Sequence, residues 1–207
     1  QGIGELTEKK LWEKGFRTWD DFLDNHHESG LKGQKRQSIR EHLLLSKKAF
    51  SSYDHSYFEN CFPNREKWRL FEYFKNYVVY LDIETTGLSP WDSDITVIGL
   101  YDGVEERVFV MGDNLHEFAD EIAKYKMIIT FNGARFDLPF IKQSLNVQLD
   151  QIHIDLLYPL KRLGYSGGLK AIERILGIDR PDDIGDIDGF EAARLWFNYQ
   201  MNGNKRA

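Results

Sequence analysis

The pattern of apolar and polar positions changes character near Tyr77. Before it, apolar residues recur at helical spacing; after it, short β-branched and aromatic runs alternate with helical stretches. Glu5 to Glu13 carries Leu6, Leu11 and Trp12 and stops at Gly15. Thr18 can cap the next turn, Trp19 to Leu23. Gly30 and Gly33 break the pattern, and Ser38 to Phe50 then places Ile39, Leu43, Leu44 and Ala49 at helical spacing. Ser51 to Leu70 is mixed, with a turn at Pro63-Asn64, and Trp68 to Phe74 is rich in aromatics suited to packing against the region that follows.

From Tyr77 the alternation predicts strands over Val78 to Glu84, Ile95 to Tyr101 and Glu106 to Met111, with Asp102-Gly103 as a hairpin turn. A helix over Leu115 to Lys124, capped by Asn114, precedes a strand over Met127 to Phe131. A helix over Phe136 to Leu145 tolerates Pro139 because it falls in the first turn. A short strand over Ile152 to Ile154 and helices over Leu156 to Leu163, Leu169 to Leu176 and Phe190 to Asn202 complete the order. A hairpin meander feeding a βαβ crossover predicts an α/β fold: a mixed β-sheet, an antiparallel meander plus parallel strands, flanked by helices. The domain reading is a small N-terminal helical region over 1–50, a connector over 51–76 and an α/β domain over 77–207.

Composition narrows the class. The 207 residues are 42% hydrophobic and 14% aromatic, enough for a packed core. No apolar run has the length of a bilayer crossing, so no membrane partner is expected. Gln1-Gly2-Ile3-Gly4 has neither the basic start nor the apolar stretch of a signal peptide, and the absence of an initial Met raises the expectation of an N-terminus further upstream. The single cysteine, Cys61, excludes an intrachain disulfide and a multi-thiolate zinc site, and it fits a reducing, cytoplasmic setting. The net charge of −6 argues against a strongly basic nucleic-acid binder, but the stretch up to Tyr77 is slightly basic and the remainder acidic. Divalent cations could screen the acidic part from phosphates, with the basic part helping to hold a backbone.

The sharpest chemical feature is Asp82-Ile83-Glu84 at the end of an apolar strand. Strand side chains alternate, so Asp82 and Glu84 share a face and Leu81 and Ile83 face the other way. Two carboxylates that close repel unless a cation lies between them, and hard oxygens at this spacing suit Mg²⁺ or Mn²⁺. The bland reading is the solvated face of an edge strand. A second element, Phe131-Asn132-Gly133-Ala134-Arg135-Phe136-Asp137, follows a strand and opens a helix. Gly133 permits a tight turn, and Asp137 falls in a first helical turn where the dipole favours a carboxylate. Its bland reading is ordinary turn and cap residues. Together, two carboxylates on one strand and a third at a strand-to-helix junction of the same sheet can converge on one pocket.

Tyr80-Leu81-Asp82-Ile83-Glu84-Thr85-Thr86-Gly87-Leu88 resembles the first exonuclease motif of the ribonuclease-H-like DEDD superfamily. Phe131 to Asp137 resembles the second, in the form seen in proofreading domains of family B DNA polymerases. His153-Ile154-Asp155-Leu156-Leu157-Tyr158 with Gly168-Leu169-Lys170-Ala171-Ile172-Glu173 is similar to the YprB-like exonucleases. The resemblance covers about residues 77–200 and implies 3′→5′ hydrolysis of single-stranded DNA or RNA ends by two metal ions, Mg²⁺ or Mn²⁺. It implies that Asp82 bridges both ions and that Glu84 and Asp137 each complete one coordination shell. It also implies that Asn132 and Phe136 touch the terminal nucleotides and that the backbone at Thr85 and Thr86 holds the terminal ribose.

The family's fourth carboxylate has no match before Ala207. Asp179, Asp182, Asp183, Asp186 and Asp188 read as loop acids. A C-terminal truncation is the expected explanation; loss of the site is the other.

Lesser features remain open. His153 and Asp155 alternate on a short strand, either as groups that orient the metal ligands or the substrate or as a structural pair with Asp155 capping the next helix. Glu173 reads as solvated. Gly2-Ile3-Gly4 before a helix resembles the second half of a helix-hairpin-helix, with a plain packing helix as the equal alternative. Lys32, Lys35, Arg36, Arg40, Lys47 and Lys48 could track phosphates, or form a solvated face that Glu41 interrupts. The competing function is a non-catalytic nucleic-acid-binding or scaffold protein on the same fold. A ribonuclease-H-fold endonuclease is the weaker third reading.

Overall fold

The computed structural model describes residues 3–178. The expectations for the helix at Phe190 to Asn202, for the acids between 179 and 188 and for a late fourth carboxylate lie outside the described residues. Contacts divide the chain into two compact units, one through Phe58 and one from Glu59.

The first unit is helical: α1 (Glu5–Glu13), α2 (Trp19–Asn25) and α3 (Gly33–Ser51). Thr18 caps α2 as expected, and Asp21 returns the bond to the Thr18 amide at 2.8 Å, completing a capping box. Helix α3 begins five residues earlier than the apolar spacing suggests, because polar Gly33 to Gln37 extend the helix without contributing to its buried stripe. Leu11, Phe16, Phe22 and Ile39 make the core of this unit. The glycines before α1 are followed by Glu5 and Glu8 in its first turn, an acidic start that opposes an incoming phosphate.

Helix α4 (His55–Cys61) leads into a 3₁₀ segment (Asn64–Leu70), helix α5 (Phe71–Phe74) and a 3₁₀ turn (Lys75–Tyr77). Lys67 is buried here and pairs with Glu59.

The second unit holds a five-stranded sheet, ordered β3-β2-β1-β4-β5. Its strands are β1 (Val78–Thr85), β2 (Ile95–Tyr101), β3 (Glu106–Val110), β4 (Met127–Thr130) and β5 (Ile152–Asp155). The first three form an antiparallel meander, and β4 and β5 add to β1 in parallel, so the fold is the mixed α/β sheet that the sequence predicts. Val79, Leu81, Ile83, Ile98, Leu100 and Ile128 pack on Phe118 and Ile122 of α6 (Phe118–Ile122) and on Phe140 and Ile141 of α7 (Asp137–Leu145). Two further helices follow, α8 (Leu157–Arg162) and α9 (Leu169–Leu176). Asn114 does not cap the helix after it. Its side chain accepts from Val110 N at 2.7 Å and donates to Val108 O at 3.0 Å, closing the end of β3 instead. Among the described residues no helix is long and apolar enough to cross a membrane.

Two local features shape the acid-bearing end of β1. Parallel pairing with β4 covers only Val78 to Tyr80, so β1 runs on past its neighbour. On the other side, the register with β2 skips Thr96 at the Glu84–Thr85 step, and Thr96 Oγ1 donates to Glu84 O at 3.1 Å. Such a bulge re-aims the end of a strand.

Candidate active site

Asp82 and Glu84 share one face of β1, with buried Leu81, Ile83 and Thr85 on the other. Alternation puts their Cα atoms about 7 Å apart. Opposite Asp82 on β2 stands Gly99, which presents no side chain. Glu84 is half-buried; desolvation first, and then the charge of Asp82, push its carboxyl above the usual range.

Asp137 opens α7 and is buried, 4% exposed. Burial, then the Asp82 charge, raise its carboxyl to about 7. Hydrogen bonds from its own amide and from the backbone of Ile83 oppose that rise. Ile83 lies between Asp82 and Glu84, in the part of β1 that β4 does not reach. The strand edge left unpaired by the short β4 is therefore where the third acid anchors. Asp155 adds a smaller repulsion.

The turn between β4 and α7 is held from β5. The Asp155 carboxylate accepts from Asn132 N at 2.8 Å and Ala134 N at 3.2 Å, and from Leu157 N at the start of α8 at 3.0 Å. Asp155 thus caps the following helix and fastens the turn as well. Asn132 has φ +64°, a left-handed conformation that asparagine tolerates better than most residues. Gly133 N donates to Thr130 Oγ1 at 3.1 Å, and a Cβ at Gly133 would lie 2.3 Å from that oxygen and 2.6 Å from Thr130 Cβ. His153 Nε2 is 2.9 Å from the same hydroxyl, and burial drives its imidazole down to about 4. The His153 amide donates to Glu59 Oε2 at 2.9 Å.

The remaining expected residues are placed as follows. Phe136 is half-buried, its ring 5.0 Å from that of Phe140 and packed on the core, which leaves only part of it for a ligand. Thr85 is buried and donates to Gly87 O at 2.6 Å. Thr86 binds Asp94 twice, through its amide to Asp94 O and through its hydroxyl from Asp94 N, both at 2.9 Å.

The donor chemistry fits a hard divalent cation: three carboxylates, two of them raised by burial and by a common neighbour, are relieved by positive charge. Among the described residues, however, no set of three or more His, Cys, Asp or Glu side chains is already arranged to hold an ion.

Residues 79–207 match the RNase H superfamily. The chain belongs to that superfamily. An uncharacterized protein of Methanocaldococcus jannaschii is 34% identical over 145 residues, which is 61% of this chain and 80% of that one. Among solved structures, the family B DNA polymerase of the archaeon Pyrobaculum calidifontis is similar with a TM-score of 0.47 at 18% identity, over 58% of this chain. The chain spans about a fifth of that polymerase, 21% of its length. The apo form of a nuclease is similar with a TM-score of 0.42 at 19% identity, covering 67% of this chain and 73% of the nuclease.

In this RNase H superfamily chain, sequence reasoning overlooked Thr130, Thr96, Glu59 and Lys67. A threonine closing an otherwise apolar strand, three residues before a glycine in a turn, was the available signal for Thr130. Nothing local marks Glu59, which reaches His153 across 94 residues.

Proposed function

We propose that this chain carries a DEDD-type, YprB-like 3′→5′ exonuclease domain, a hydrolase that removes nucleotides from single-stranded DNA or RNA 3′ ends. The observation that carries the reading is the anchoring of Asp137. A buried carboxylate from the start of α7 takes the backbone of Ile83 and feels the charge of Asp82. Acids from two distant segments thereby meet at one strand end. Burying one acid against the charge of another is costly in a fold that needs them only for packing.

Asp82, Glu84 and Asp137 would hold two Mg²⁺ or Mn²⁺ ions, which supply Lewis acidity and charge neutralisation for attack of water on a phosphodiester. The chain's own residues orient the rest. Asp155 and Thr130 fix the turn that presents Asn132 and aims Asp137. The backbone at Thr85 and Thr86, together with Asn132 and the open part of Phe136, is the surface we assign to the terminal nucleotides. His153, kept neutral by burial, braces the turn rather than moving a proton. The single Cys61 suits the reducing cytoplasm we propose as its setting.

One observation favours a second reading, a non-catalytic nucleic-acid-binding or scaffold protein: no ready three-ligand group exists among the described residues. A 5′-labelled single strand with Mg²⁺ or Mn²⁺ separates the two. Stepwise shortening from the 3′ end, abolished by EDTA and by Asp82→Asn, is the expected result. Binding without cleavage in both ions would establish the second reading, and cutting of a 3′-blocked strand would make the enzyme an endonuclease.

A further inference from the structure

A large aromatic side chain stands in solvent on the loop that leaves the acid-bearing end of β1. Trp91 is 80% exposed, and the loop that carries it starts two residues after Glu84. Internal bonds fix this loop. Thr86 and Asp94 close its base with their two bonds, Thr85 Oγ1 ties to Gly87 O, and Asp92 N donates to Ser89 O at 3.3 Å. The Trp91 amide itself leans on Ser89 Oγ at 3.4 Å. A flat apolar ring on a braced support loses little freedom when it binds.

The charge of the stretch that carries Trp91 points to the chemistry of an occupant. No Lys or Arg occurs between Lys75 and Arg107, whereas Asp82, Glu84, Asp92 and Asp94 do. A phosphate chain therefore gains no side-chain attraction from this stretch. The face of a base does, because stacking on an indole needs no cation. In a duplex both faces of an internal base are already stacked, so the occupant is an unpaired base.

We propose that Trp91 is a stacking platform for an unpaired nucleobase of the strand whose end lies at the carboxylates. This rests on the nuclease reading and extends it. The platform adds affinity that is independent of sequence and nearly independent of salt.

The test uses the full chain carrying Asp82→Asn, to prevent degradation, and a labelled oligothymidylate followed by fluorescence anisotropy. Adding Trp91→Ala is expected to weaken binding about 5- to 100-fold, with Trp91→Phe recovering most of it. The loss is expected to be the same at low and high salt, since no ion pair is removed. Binding of a blunt duplex is expected to stay unchanged, as is the thermal midpoint, because an exposed ring supports little of the fold. Equal binding by Trp91→Ala and its parent overturns the platform and leaves the nuclease reading intact. A loss that Phe does not restore, or one that varies with salt, also overturns it. If the otherwise unaltered chain neither binds nor cuts any nucleic acid, the nuclease reading fails and the platform with it.

Discussion

The carboxylate of Asp155 accepts the amide of Asn132 at 2.8 Å, across 23 residues of sequence and a strand crossover. It takes the amides of Ala134 and Leu157 as well, so one side chain completes three backbone donors in the turn ahead of α7 and at the start of α8. Hydrogen bonds to a charged acceptor are each worth roughly 1.5–3 kcal/mol. Asp155→Ala is therefore expected to cost about 3 kcal/mol or more in urea unfolding. Asp155→Asn keeps one acceptor oxygen but turns an amide donor toward Ala134 N–H, so its loss is expected to be smaller yet clear. Equal stability of all three proteins would mean that the turn holds itself.

Gly133 has no space for a methyl group, since an added Cβ would press on Thr130 Oγ1 and Cβ. Gly133→Ala is expected to destabilise the second unit by about 1–3 kcal/mol and to reduce the proposed nuclease activity together with it. Calorimetry on the variant checks the first part. An unchanged midpoint would show that the turn can shift freely.

Neutralising Asp137 is expected to separate stability from activity. Its buried charge faces Asp82, so Asp137→Asn removes both desolvation and repulsion. In EDTA at pH 8 the variant is expected to melt above the parent. Mg²⁺ is expected to raise the midpoint of the parent and to leave that of the variant nearly unmoved, while cleavage falls at least about a hundredfold. A parent that Mg²⁺ does not stabilise would count against a metal at these carboxylates.

His153 gives the fold an acid limit. Its imidazole is lowered from 6.5 to about 4, chiefly by burial, with Asp155 opposing and Lys67 and Lys142 assisting. Below pH 6.5 the unfolded chain takes up a proton that the folded chain refuses. The stability from this group is thus present above pH 6.5 and is lost as pH falls toward 4. Denaturation curves between those values are expected to show a slope that His153→Gln flattens. Glu59, whose carboxylate accepts the His153 amide, is the control to vary alongside.

Glu59 also neutralises buried Lys67. Glu59→Ala leaves that ammonium uncompensated and is expected to cost about 3–5 kcal/mol, whereas Glu59→Ala with Lys67→Met is expected to regain most of it. Urea midpoints of the single and double variants decide this.

The strands were legible because their signal is local. Val78 to Glu84 and Ile95 to Tyr101 alternate strongly, and Asp102-Gly103 marks the hairpin between β2 and β3. Their partners follow from hairpin geometry and the crossover rule, which is why the mixed sheet could be anticipated. Asp82 and Glu84 stood out because carboxylates closing an apolar strand are conspicuous, and Asp137 because it opens a helix just after a strand and a glycine turn. What escaped were contacts that depend on how the sheet is assembled. Asn114 looks like a cap in sequence, yet the open end of β3 offers it both a donor and an acceptor. The skipped Thr96 is one residue in an otherwise regular alternation and leaves no mark in composition. The Glu59–Lys67 pair reads as ordinary surface charge until β5 lies beside it.

The brevity of β4 has a consequence of its own. Had β4 continued in parallel alongside β1, its carbonyls would have satisfied the amide of Ile83, and the helix-borne acid would have had to dock elsewhere. On the proposed nuclease reading, the length of β4 thus matters to the site although no β4 side chain is asked to react. On that reading, insertions that lengthen the ladder displace Asp137 from Ile83 without touching any of the acids.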